Sequence, residues 1–189
     1  MEQPVTIVSG LPRSGTSMMM RMLEAGGMPV LVDNLREADE DNPNGYYEFE
    51  EVKKVREDAS WLQDARGKAV KMVYRLLYDL PRDDTYRVIF MTRKLEEVIA
   101  SQNTMLQRNG KGSDDLSGEQ LAQIYGKQLR EARAWLDSRP NFEVLYVDYG
   151  DVLNETQGVA DEINQFLHGN LNTDAMVEVP NPSLYRQRR

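Results

Sequence analysis

Residues 5–24 read VTIVSGLPRSGTSMMMRMLE, and this stretch decides the fold. Val5 to Val8 is a short apolar run rich in β-branched residues, the pattern of a buried strand. Ser9 to Gly15 is a turn-forming segment of Gly, Pro and Ser. Thr16 to Glu24 follows with Met, Leu and Arg, all good helix formers. A strand, a Gly-bearing loop and a helix in that order make a cradle for phosphate. The loop exposes backbone N–H groups, and the helix N-terminus adds unpaired donors and partial positive charge.

The spacing narrows the chemistry. Gly10-Leu-Pro-Arg13-Ser14-Gly15-Thr16-Ser17 keeps the GxxxxG frame of a nucleotide P-loop, but Thr16 stands where an ATPase places lysine. The cation is inside the loop, at Arg13. A bare glycine frame also fits an ordinary strand-to-helix turn. Arg13, Thr16 and Ser17 at the mouth of a first strand favour a phosphate site instead.

This loop resembles the phosphosulfate loop of the sulfotransferase superfamily. That resemblance implies binding of the 5′-phosphosulfate of 3′-phosphoadenosine 5′-phosphosulfate (PAPS) by Pro12, Arg13, Ser14, Gly15, Thr16 and Ser17. Arg13 takes the place of the family's loop Lys or Arg. Thr16 and Ser17 take its phosphate-binding hydroxyl positions.

Composition bounds the rest. A chain of 189 residues predicts one domain over 1–189. Its net charge of −8 argues against nucleic acid as a partner. With no cysteine, thiolate metal sites and cysteine nucleophiles are excluded. His168 is the one histidine, which removes most support for histidine metal sites and triads. No secretory signal and no membrane-length apolar run is visible, so a cytoplasmic location is expected.

Along the chain, Gly26-Gly27 closes the first helix. Met28 to Val32 is a short candidate strand, and Asn42 to Gly45 a turn. Tyr46 to Ala65 reads as helix from its apolar stripe. Val70 to Leu77 reads as a strand running into a turn, and Arg87 to Thr92 as a strand, apolar and flanked by charge. Leu95 to Arg108 is helical. Asn109 to Ser117 is a loop, and Ser117 to Gln120 a capping box opening a long helix to about Ser138. Phe142 to Val147 is a third strand, Asp148 to Asn154 a loop, and Glu155 to Leu167 an amphipathic helix. This alternation predicts an α/β, three-layer P-loop-NTPase-like fold with a central, mostly parallel sheet flanked by helices. Ligands of such sheets bind at the carboxyl ends of the strands.

Arg93 falls at such an end, and Ser101 lies about two turns into the next helix. Arginine offers forked, permanent donors to phosphate, and serine a neutral one. The run Arg93-Lys-Leu-Glu-Glu97-Val-Ile-Ala-Ser101 is similar to the family's Arg-x-Pro-x-Asp-x-x-x-Ser motif. The resemblance implies that Arg93 and Ser101 bind the 3′-phosphate of PAPS. Leu95 replaces the usual Pro and Glu97 the usual Asp. Leu145 to Leu153 is similar to the family's strand-then-YEDL segment, with a structural role. The late basic run Leu184 to Arg189 reads either as a solvated end or, by resemblance, as a cover for the 3′-phosphate.

Sulfuryl transfer needs charge stabilised on the departing oxygen and a base for the acceptor proton. Loop amides and Arg13 supply the first, with Lys71 as the second cation by resemblance and Lys68 as its rival. No metal is expected. The family's usual histidine falls at Val73, so Glu48 is the candidate base, with Glu50 beside it. The acceptor is unidentified, with Tyr46, Tyr47, Phe49 and Trp61 as a possible aromatic wall. Two other functions fit the same loop: a P-loop small-molecule kinase or NTPase, and a non-catalytic nucleotide-binding protein. Mg²⁺ dependence distinguishes the first, and binding without turnover the second.

Overall fold

The computed structural model describes residues 3–33, 35, 45–108 and 116–181. Strand β1 (Val5–Gly10) is buried along its whole length and leads through residues 11–15 into helix α1 (Thr16–Ala25). The irregular segment 45–49, a 3-10 turn (Glu50–Lys54) and short α2 (Leu62–Ala65) precede β2 (Ala69–Lys71). A 3-10 helix (Tyr74–Asp79), β3 (Tyr86–Thr92), α3 (Leu95–Arg108) and α4 (Gly118–Asp137) follow. The chain closes with β4 (Phe142–Asp148), α5 (Tyr149–Asn154), α6 (Thr156–Phe166) and α7 (Thr173–Val177).

The sheet has four parallel strands in the order β2-β1-β3-β4. β1 is central because it is apolar on both faces. Val5 and Ile7 enter one core with Val88 and Phe90 of β3 and Ala132 and Leu136 of α4. Val8 enters the other with Ile89, Met91 and the Met19, Met20, Met22 stripe of α1. This is the two-residue period of a strand covered on both sides. β2 and β3 flank β1, so the chain reverses its direction of winding between β1 and β3. That reversal opens the crevice where such sheets bind ligands. No described helix is long and apolar enough to cross a membrane.

Three expectations change. Of the helix expected over Tyr46–Ala65 only α2 forms, after the irregular segment and the 3-10 turn. Its backbone is recruited elsewhere: Asp33 N–H donates to the Glu48 carbonyl at 3.1 Å, and Glu50 N–H to Asp33 Oδ2 at 2.6 Å. Tyr47 adopts a left-handed φ of 53°, which no helix accommodates. Met28–Val32 makes one bridge, Val30 to Ala69, rather than a strand. Pro29 in that run has no N–H to give a ladder. Val70–Leu77 is, as read, a strand running into a turn: β2 ends at Lys71 and the 3-10 helix starts at Tyr74. The loop expected over Asp148–Asn154 is α5, capped by Asp148 Oδ1 accepting from Gly150 N–H at 2.7 Å. The capping box of α4 forms as read, with Ser117 and Gln120 bonded reciprocally. Residues 42–44, 109–115 and the basic run 184–189 lie outside the described residues.

Candidate active site

The loop after β1 is tied to itself. Ser14 N–H and Ser14 Oγ both donate to the Leu11 carbonyl, at 3.2 and 2.7 Å. The Ser14 hydroxyl is thereby buried inside the loop, and Pro12 is exposed. Arg13 holds φ at 70° and Gly15 at 97°. Glycine is required at 15 for space as well, because a Cβ there would sit 2.5 Å from the Tyr149 ring. Helix α1 starts at Thr16 with no side-chain cap, so its first N–H groups and partial positive charge face the crevice end of β1. Thr16 and Ser17 stand in that first turn.

A second group forms at the end of β3. Arg93 Nη1 donates to the Arg13 carbonyl at 3.1 Å, and Arg93 Nε to Glu97 Oε2 at 2.9 Å. The Arg93 guanidinium lies 4.3 Å from the centre of the Tyr149 ring. Arg13 Nε in turn donates to Ser101 Oγ at 3.0 Å. Arg13, Arg93 and Ser101 therefore converge, and Arg13 reaches from the first loop into the second group. Tyr149 is positioned by the Asp148 cap of α5. Asp148 is held to β3 by Thr92 Oγ1, which donates to Asp148 Oδ2 at 3.3 Å. Burial pushes the Tyr149 phenol up, and Arg93 pulls against that.

A third group lies at the end of β2. Val8 of β1 pairs with Lys71, which brings Lys71 beside the loop. Lys71 Nζ donates to Ser17 Oγ at 3.3 Å and to the Tyr46 carbonyl. Ser17 Oγ donates to the same carbonyl at 3.1 Å. Glu48 Oε1 stands 3.9 Å from Lys71 Nζ, with both side chains largely covered. The rivals lie elsewhere. Lys68 is at the opposite end of β2, its carbonyl accepting from Thr6 N–H at 3.2 Å. The Glu50 carboxylate is paired with Lys53 at 2.5 Å, on an exposed surface. His168 follows the C-terminus of α6 in a left-handed conformation, away from the loop. Val73 is exposed.

The Sulfotransferase domain family matches residues 3–186 of the chain. The chain belongs to the sulfotransferase domain family. A mouse sulfotransferase complexed with PAP shares its fold, with 16% identity and a TM-score of 0.59 over 95% of this chain and 63% of the mouse protein. A Mycobacterium tuberculosis sulfotransferase has 17% identity and a TM-score of 0.57, over 98% of this chain and 74% of its own. An Alicyclobacillus acidocaldarius sulfotransferase has 16% identity and a TM-score of 0.52, over 97% and 89%. The chain thus spans under two thirds of the mouse protein's length. No curated protein matched by sequence.

The sequence singled out the first loop, Arg93, Ser101 and Lys71, and hydrogen bonds link Arg13 to Arg93 and Ser101, and Lys71 to Ser17. It gave Tyr149 only a structural role and gave Glu97 none. The signal for Tyr149 was its place just past the third strand, on the ligand rim. For Glu97 it was its place in the first turn of α3, four residues after Arg93, within reach of an arginine at the end of β3. The Tyr46 carbonyl had no signal, since any residue carries one. Of the expected aromatic wall, Trp61 is buried in the core against Phe49, ring centres 5.8 Å apart. Tyr46 is also buried.

Proposed function

We propose that this chain transfers the sulfuryl group of PAPS to a hydroxyl or amine of a small-molecule acceptor, in the cytoplasm, as a single domain and without a metal. The observation that carries this is the join between two anion-binding groups. Arg13 belongs to the phosphate loop by sequence, yet contacts Ser101 and Arg93 of the second group at 3.0 and 3.1 Å. A ligand with phosphate at both its 5′ and 3′ ends matches two such groups. A nucleoside triphosphate leaves the second one without a partner.

The residues present suit PAPS. The donors are an uncapped helix N-terminus, two arginines, a lysine and hydroxyls at Thr16, Ser17 and Ser101. All are anion ligands. Bound PAPS supplies an activated sulfuryl group with a phosphate as leaving group. We assign Arg13 and Lys71 to the charge that develops on that phosphate, through preorganised donors in a partly closed site. Arg93 and Ser101 hold the 3′-phosphate. Glu48 accepts the acceptor's proton, since its carboxylate stands 3.9 Å from Lys71 at the loop.

Calorimetric titration with PAP, the 3′,5′-bisphosphate left after transfer, tests the reading. PAP is expected to bind in EDTA and to weaken on Arg93→Ala. A preference for ATP with Mg²⁺, or indifference to Arg93, overturns it in favour of a P-loop kinase. PAP binding without turnover on any hydroxyl or amine leaves a nucleotide-binding protein.

A further inference from the structure

Glu97 is a carboxylate buried to 1% exposure beside a site built to attract anions. An acid in the first turn of a helix ordinarily serves the helix dipole from solvent. Its neighbour Glu96 does that, being exposed. Glu97 points inward instead and takes Arg93 Nε at 2.9 Å. A negative charge there works against a bound phosphate by simple electrostatics, so it needs a different explanation.

The explanation lies in what holds Arg93. Arginine is long and loses much rotamer freedom when it is fixed on a ligand. Here three contacts fix it from three directions: Glu97 at Nε, the Arg13 carbonyl at Nη1, and the Tyr149 ring at its face. The carboxylate takes Nε, the nitrogen that joins the guanidinium to its stem, and so fixes the end of that stem. The ordering cost is then met in folding rather than in binding.

We propose that Glu97 is a positioning residue that sets discrimination for a 3′-phosphate, by fixing Arg93 before the nucleotide arrives. This rests on the reading of Arg93 as the 3′-phosphate ligand. Its effect is confined to ligands that carry that phosphate.

The test compares PAP with 5′-AMP, which lacks the 3′-phosphate, on wild type and Glu97→Gln by calorimetry. Charge alone predicts tighter PAP binding in the variant, because a nearby negative charge is gone. Positioning predicts that PAP weakens about tenfold while 5′-AMP stays within about twofold. Tighter PAP binding, or equal weakening of both ligands as a general structural defect gives, overturns the proposal. If wild type itself binds the two equally, the 3′-phosphate reading fails and takes this proposal with it. A wild-type preference left unchanged in the variant overturns this proposal alone. A second measurement needs no carboxylate variant: the Arg93 Nε–H resonance of wild type, assigned by its loss in Arg93→Lys. Slow exchange before PAP is added is expected, and fast exchange that slows only with PAP overturns pre-positioning.

Discussion

Arg13 Nε donates to Ser101 Oγ at 3.0 Å across 88 residues of chain. The bond ties the loop after β1 to the helix after β3, the two elements on either side of the crevice. A charged hydrogen-bond donor contributes about 1.5–3 kcal/mol and a neutral one about 0.5–1.5. Arg13→Ala is therefore expected to weaken PAP about 10- to 100-fold, and Ser101→Ala about 3- to 10-fold. Because the two groups touch, the double variant should lose less than the product of the single losses. Calorimetry on the four proteins checks this. Independent losses would mean that the contact does not persist when PAP is bound.

Gly15 carries a different kind of constraint. Its φ of 97° is strained for any residue with a Cβ, and the Tyr149 ring occupies the space a Cβ needs. Gly15→Ala is expected to cost about 2–4 kcal/mol, from left-handed backbone and overpacking together. That corresponds to a fall of roughly 5–15 °C in Tm for a chain of this size. Tyr149→Ala opens the space, so the two substitutions should be coupled favourably in thermal melts. Simple additivity would show that backbone strain alone sets the cost.

The first of these residues was legible in sequence and the second only in part, for a physical reason. Gly15 announces itself through the strand-loop-helix order, which is local. Tyr149 matters because β4 lies beside β3 and Asp148 starts a helix there, which is a fact of topology. The expected helix over Tyr46–Ala65 failed in the same way. Its apolar stripe is real, since Val52, Val55 and Leu62 are in the core. But the Tyr46 carbonyl goes to Ser17 and Lys71 rather than down a helix. Propensity cannot anticipate a backbone group taken by residues 29 and 25 positions away.

The Lys71–Glu48 pair separates binding from chemistry. Glu48 Oε1 faces the loop cation Lys71 at 3.9 Å. Glu48→Gln is expected to leave PAP affinity within about twofold and to lower kcat about 10²- to 10⁴-fold, as loss of a general base does. Lys71→Met should lower kcat and weaken PAP as well, since it removes a cation at the loop. Glu50→Gln, in an exposed pair with Lys53, should change neither. Release of PAP during turnover on a panel of phenols and amines reads all three. A Glu48→Gln protein with full kcat removes Glu48 as the base.

Tyr47 links the segment beside the site to pH. Its hydroxyl donates to Glu24 Oε2, and burial, with that acceptor and its charge, pushes the phenol from 10.0 up to about 12. A raised pKa means that the folded state keeps a proton which the unfolded state has lost between pH 10 and about 12. The unfolded state then binds fewer protons, so stability falls as pH rises through that window and is fully present below it. Tyr78, Tyr86, Tyr146 and Tyr149 are shifted in the same direction, each mainly by burial, and add to the fall. Urea melts at pH 9, 10, 11 and 12 should show a steady loss, less steep in Tyr47→Phe because one titrating group is gone. A Tyr47→Phe protein with the wild-type slope would mean that the Tyr47–Glu24 bond opens before the fold does. In that case segment 45–49, which carries the Tyr46 carbonyl on Ser17 and Lys71, releases from α1 independently of global unfolding.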